Sequence, residues 1–219
     1  MLKAVLFDMD GVIVNSEPLH YKAYHEMYKE IGINITPTLH KSFTGKATLP
    51  ICKELCEQFN LSIKPEALVS IKRKYFYRFF DNDPDFKLID GVFDLINHYH
   101  KNKLKLILAS SASMPNIEKN FNRFDLDCFF DAKISGAELK ASKPHPEIFI
   151  NAAKASGFSK KECMVIEDST NGMKAAKEAG IFCVAYDSVY SINQDYSLAN
   201  LVIKDFKEIQ LPLISHFFN

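Results

Sequence analysis

The sequence predicts an α/β fold: a doubly wound parallel sheet interrupted by an inserted, all-helical cap domain. Three observations carry this. Short, nearly continuous apolar runs alternate with helical stretches through most of the chain, one long early block offers helices only, and the apolar runs end on acids, hydroxyls and a lysine. A run that is apolar at successive positions is a strand covered on both faces, and strand-helix alternation implies right-handed βαβ crossovers.

The elements follow in order. Lys3-Ala4-Val5-Leu6-Phe7-Asp8 is the first such run; Leu104-Lys105-Leu106-Ile107-Leu108-Ala109, Cys163-Met164-Val165-Ile166 and Ile181-Phe182-Cys183-Val184-Ala185 repeat its character, and 129–134 is a weaker candidate. Helical stretches at 92–101, 115–124, 146–156 and 171–179 separate them. Between the first strand and residue 90 the alternation stops. Helices are expected there at 17–31 after a Ser16 cap, 37–43 after Thr36, 49–59 and 65–80. The core domain is therefore read as 1–15 with 85–219 and the inserted cap as 16–84.

Composition narrows the function. The 219 residues carry 27 Lys+Arg against 27 Asp+Glu, so neither nucleic acid nor an anionic membrane is expected as partner. No apolar run approaches the roughly 18 residues of a spanning helix, and Asp8 and Asp10 interrupt the opening run before a signal-peptide core can form. A cytoplasmic monomer is expected. The 5 cysteines are odd in number and scattered, which argues for free thiols. Cys52 and Cys56 share a helix face, but no second Cys/His pair stands at finger-like spacing, so they are read as small buried side chains and not as zinc ligands.

In a doubly wound sheet ligands sit beyond the carboxyl ends of the strands. There the chain places Asp8-Met9-Asp10-Gly11 after the first strand, Ser110-Ser111 after the second, Lys143 ahead of a later strand, and Glu167-Asp168-Ser169 after that strand. Acids supply hard oxygen ligands for Mg²⁺, hydroxyls donate to phosphoryl oxygens, and a lysine offsets phosphate charge. Individually each residue is ordinary: Asp caps helices and Ser forms turns, and Ser113 reads as the N-cap before Pro115. Together they point to phosphoryl chemistry.

Asp8-x-Asp10-Gly11-Val12, Ser110, Lys143-Pro144 and Glu167-Asp168-Ser169 resemble, in order, the motifs of the haloacid dehalogenase superfamily of phosphohydrolases and phosphomutases. The branch containing β-phosphoglucomutase is most similar, sharing the helical cap, Gly45 in a cap loop, Lys74 within Lys72-Arg73-Lys74, and Ala141-Ser142-Lys143-Pro144. The resemblance implies a Rossmann-like core and an aspartyl-phosphate mechanism on a small phosphorylated metabolite. Asp8 would be the nucleophile and Asp10 the acid–base. Mg²⁺ would be held by Asp8, the Asp10 carbonyl and Asp168, with Glu167 beside them. Ser110 and the Ser111 amide would hold the transferring oxygens, and Lys143 would neutralise them while pairing with Asp8. Gly45, Lys46 and Lys74 would meet the substrate when the cap closes. His20 falls where the mutases carry a histidine near the cap hinge; the alternative is a half-buried His that packs and makes one hydrogen bond. Lys72-Arg73-Lys74 otherwise reads as a solvated helix face, Tyr75, Phe76, Phe79 and Phe80 read as cap core, and His98 and His100 lie on a surface helix without a role.

One position departs from the mutase pattern. Where the mutases carry an arginine after the cap-loop glycine, this chain has Thr48, and a hydroxyl cannot supply a charged bidentate fork. A phosphatase is therefore expected over a β-phosphoglucomutase. Dehalogenation is disfavoured because that branch lacks an acid at the position of Asp10. A non-enzymatic phospho-Asp switch is disfavoured because receiver domains have neither the helical insertion nor an acid two residues after the phosphorylated Asp.

Overall fold

The computed structural model describes residues 1–43, 48–188, 191 and 193–218. In chain order its elements are β1 (Ala4–Phe7), α1 (Glu17–Glu30), α2 (Pro37–Lys41), α3 (Thr48–Gln58), α4 (Pro65–Asn82), α5 (Val92–Lys101) and β2 (Lys105–Ser110). There follow α6 (Met114–Arg123), β3 (Ala132–Ser135), α7 (Glu147–Ser156), β4 (Cys163–Glu167), α8 (Thr170–Ala179), β5 (Phe182–Tyr186) and β6 (Leu201–Ile203). Two compact units result, Met1–Asn15 with Leu88–Asn219, and Ser16–Lys87. Phe86 stays with the second because its ring packs on Phe80 at 5.0 Å.

In the first unit six parallel strands stand in the order β3-β2-β1-β4-β5-β6. β1 and β4 are buried at every residue because helices cover both faces. One face packs Leu6, Ile107, Ala109 and Val165 against Phe149, Ala152, Met173 and Ala176. The chain runs outward from β1 to β2 and β3, then crosses back to β4 on the other side of β1. The order therefore reverses between β1 and β4, the kind of position at which doubly wound sheets bind ligands beyond the strand ends. Register brings those ends level, pairing Phe7 with both Leu108 and Ile166.

Sequence reading missed β6, whose three residues are half-buried, exposed and buried in turn, too short to show a period. The weak third run condenses to β3, and Asp131 just before it is tied to β2 through its N–H to Leu106 O at 2.8 Å and its carboxylate accepting from Leu106 N at 3.1 Å. His98, expected on a helix surface, is half-buried, and its Nε2 accepts from Leu211 N at 3.1 Å, anchoring the C-terminal segment.

The second unit is a helical bundle whose core is Tyr24, Met27, Tyr28, Phe43, Ile51, Cys52, Leu55 and Leu68. Cys52 is fully buried and Cys56 donates its thiol to Ile63 O at 3.3 Å. Thr36 caps α2 by accepting from Leu39 N at 3.2 Å, whereas the Ser16 side chain at the α1 N-cap position makes no capping bond to the helix. Among the described residues no helix is long and apolar enough to cross a membrane.

Candidate active site

Asp8 follows the last residue of β1, and its N–H donates to Ile166 O at 3.0 Å, extending the β1–β4 ladder by one residue. A tight turn then reverses the chain: Ile13 N and Val14 N both donate to Met9 O, at 2.8 and 3.0 Å. The turn needs Gly11, whose φ is +84° and where an added Cβ would lie 2.0 Å from Asp168 Oδ2. Asp10 is half-exposed in this turn, and its charge is felt by both Asp8 and Asp168.

Lys143 arrives from the segment before α7 and joins the acids. Its Nζ donates to Asp8 Oδ1, to Glu167 Oε1 at 2.7 Å and to Ala109 O at 3.0 Å, so all three ammonium protons are used. Its side chain is 6% exposed, and burial alone would lower its pKa; Asp8 and Glu167 outweigh that and hold it raised. Glu167 ends β4, and its Oε2 accepts from Asp168 N, Ser169 N and Ser169 Oγ at 2.9, 2.8 and 2.9 Å. Ser169 also caps α8 through Gly172 N at 3.0 Å. A Cβ at Gly172 would fall 1.7 Å from Glu167 Oε1, so only glycine leaves room for that carboxylate. The requirement for Gly172 was not read from sequence, although its position in the first turn after Glu167-Asp168-Ser169 is the available signal.

Asp8, Glu167 and Asp168 offer carboxylate oxygens that all lie within 4.8 Å of one another. Burial first, then the charges of Glu167, Asp168 and Asp10, push the Asp8 pKa well above its usual range against the opposing pull of Lys143. Burial and Glu167 likewise raise Asp168 to about 7. One lysine does not balance this set. An all-carboxylate donor set fits a hard divalent cation, which would favour the charged forms of Asp8 and Asp168.

Ser110 ends β2, buried, with its Oγ accepting from Ala112 N at 3.0 Å. Ser111 is exposed, and Gly136 packs against its backbone closely enough that an added Cβ would lie 3.1 Å from Ser111 Cα. Ser113 takes the α6 N-cap position but makes no side-chain cap bond.

The cap residues arrange differently from the sequence reading. His20 stacks on Phe76 at 4.6 Å, and its Nδ1 lies 2.5 Å from Lys72 Nζ. Lys72 is 3% exposed and is not part of a solvated face: with Leu68, Phe76 and Phe80 it forms the buried stripe of α4. Two residues along a helix turn about 200°, so Lys74 projects from the opposite, exposed side, 3.8 Å from Glu30 Oε2. Burial and the Lys72 charge lower the His20 pKa, leaving a neutral ring that accepts from the ammonium. Thr48 starts α3, beside Tyr24, whose pKa burial holds raised against a smaller opposing effect of the Thr48 hydroxyl. Gly45 and Lys46 lie outside the described residues.

The family model described as haloacid dehalogenase-like hydrolase matches residues 5–186. The phosphorylated carbohydrates phosphatase of Thermotoga maritima is 31% identical over 201 residues, covering 90% of this chain and 90% of that protein. Hexitol phosphatase B of Escherichia coli O157:H7 is 27% identical over 210 residues, covering 94% of this chain and 93% of that protein. The β-phosphoglucomutase structure from Clostridium difficile superposes with a TM-score of 0.82 at 26% identity, covering 100% of this chain and 98% of that one. Because the family match runs from β1 to the end of β5, through every strand end that carries the acids, the chain belongs to the haloacid dehalogenase-like hydrolases.

Proposed function

We propose that this protein is a Mg²⁺-dependent, cytoplasmic phosphatase that hydrolyses a small sugar phosphate through an aspartyl-phosphate intermediate. The observation that carries the reading is Asp8 at the end of the central strand, bonded to Lys143 and within reach of Glu167 and Asp168. The Asp8 carboxylate attacks phosphorus, while Asp10 gives a proton to the departing alkoxide. Asp10 then takes a proton from the water that attacks the acyl phosphate, releasing inorganic phosphate and restoring Asp8. Ser110 and the Ser111 amide orient the phosphoryl oxygens, and Lys143 offsets their charge. Asp8, the Asp10 carbonyl and Asp168 would hold Mg²⁺, which supplies charge neutralisation between two approaching anions. Glu167, with both oxygens engaged, orients Lys143 and the start of α8.

Relatives that are named as carbohydrate and hexitol phosphatases support a sugar or polyol phosphate as substrate. Support for hydrolysis over mutase chemistry comes from Thr48, an uncharged side chain that cannot clamp a second phosphate. The similarity to a β-phosphoglucomutase structure favours the second reading, transfer through a bisphosphate. A panel of phosphorylated sugars and polyols, with and without β-glucose 1,6-bisphosphate, separates the two. Free phosphate without isomerised sugar is expected. Efficient interconversion of β-glucose 1-phosphate and glucose 6-phosphate would establish the mutase instead, and an acyl phosphate lasting minutes would indicate a switch.

A further inference from the structure

Ser191, which follows β5 in the chain, reaches Asp168 and has no task in the chemistry above. Ser191 Oγ donates to Asp168 Oδ2 at 2.6 Å. The same oxygen is confined on another side by Gly11, where an added Cβ would stand 2.0 Å away. Gln194 and Asp195 are in turn bonded to the first turn of α8. Gln194 Oε1 accepts from Thr170 N and Thr170 Oγ1 at 2.8 and 2.9 Å, and Asp195 N donates to Thr170 Oγ1 at 2.8 Å. Ser191 is held locally as well, its N–H donating to Ser188 O at 3.1 Å and its carbonyl accepting from Tyr196 OH at 3.4 Å.

A carboxylate has a broad terminal torsion and, left alone beside Glu167, would rotate between its two equivalent oxygens. A hydroxyl donor on one oxygen stops that rotation, offsets part of the repulsion from Glu167, and leaves the other oxygen for a ligand. We propose that Ser191 is a positioning residue for Asp168, fixing the carboxylate so that its other oxygen faces a divalent cation, and that the Gln194–Thr170 strap fixes where Ser191 stands. This rests on the reading of Asp8, the Asp10 carbonyl and Asp168 as a cation site. Partners of this kind typically change metal affinity by about 10- to 100-fold when removed.

The test uses the full chain stripped with EDTA and titrated with Mn²⁺, the free ion being counted by its solution EPR signal. Ser191→Ala is expected to bind Mn²⁺ about 10- to 100-fold more weakly with the same melting temperature in EDTA. Ser191→Thr, which keeps the hydroxyl, should return affinity close to wild type, and Gln194→Ala, which only loosens the strap, should weaken it by less than Ser191→Ala. Equal Mn²⁺ affinity in Ser191→Ala and wild type overturns the inference while leaving the cation site standing. A wild type that takes up no more Mn²⁺ than Asp168→Ala overturns both. If Ser191→Ala melts earlier in EDTA, Ser191→Thr against Ser191→Val decides, because that pair is matched in size and differs in the hydroxyl: tighter Mn²⁺ binding by the threonine variant supports the role and equal binding overturns it.

Discussion

The polar cluster at the sheet edge and the polar cluster inside the cap are built on opposite plans. At the sheet edge charge is concentrated: three carboxylates lie within 4.8 Å of one another, and one lysine bonds two of them, Asp8 and Glu167. In the cap a neutral histidine and a lysine sit among aromatic rings, Lys72 Nζ lying 5.1 Å from the Tyr24 ring centre and 4.8 Å from that of Phe76. The difference follows from how each scaffold brings residues together. Neighbouring parallel strands stand about 4.8 Å apart, so residues at adjacent strand ends meet wherever the strands are paired. Residues on helices meet only when each helix presents the correct face, and a shift of two positions turns a side chain away.

The largest expected effect breaks the sheet-edge cluster chemically. Asp8→Asn keeps the side-chain shape but loses the nucleophilic charge, so phosphate release should fall to assay background while the melting temperature stays close to wild type. Activity within about tenfold of wild type would remove Asp8 from the nucleophile's role. Next comes the electrostatic balance. Lys143→Met leaves Asp8 and Glu167 buried without their cation, which should cost about 3–5 kcal/mol in urea unfolding with chelator present. A cost under about 1 kcal/mol would mean that Lys143 does not balance the acids.

The cap should respond to pH through His20. Its folded pKa lies below the ordinary 6.5, so the unfolded chain takes up a proton that the folded chain refuses, and the contribution of His20 to stability is lost as pH falls below 6.5. Wild type should therefore lose ground to His20→Gln in thermal melts as pH is lowered through that value. A constant gap between the two would contradict a neutral, buried ring. The smallest effects test helix phase: Lys72→Ala should cost about 1–3 kcal/mol, while Lys74→Ala should stay within about 0.5 kcal/mol. Equal effects would show that the buried stripe of α4 is misassigned.

Legibility in the sequence followed the same division. The apolar runs that became β1, β2, β4 and β5 were readable because strands covered on both faces leave a local apolar signature. β6 left none, because an edge strand of three residues needs only its partner β5 and one buried side chain. Asp8, Ser110, Glu167 and Asp168 were legible as a set because each stands where an apolar run ends. Gly172 and Ser191 were not: the first is a space left for Glu167, and the second reaches Asp168 across 23 residues of chain. Lys72 was read as solvated because three consecutive cations look like a surface, and only the packing of α1 against α4 placed one of them inside.

By itself, then, the amino-acid order determined the alternation of strand and helix, the helical insertion and the residue types delivered to the strand ends, because those depend on local periodicity and on the chain's own punctuation. Tertiary structure alone decided which of Lys72 and Lys74 is buried beside His20, how Lys143 divides its three donors, and which hydroxyl reaches Asp168. Those are contacts between segments distant in sequence. Their energy depends on burial and on orientation at a few ångströms, neither of which a local window of residues encodes.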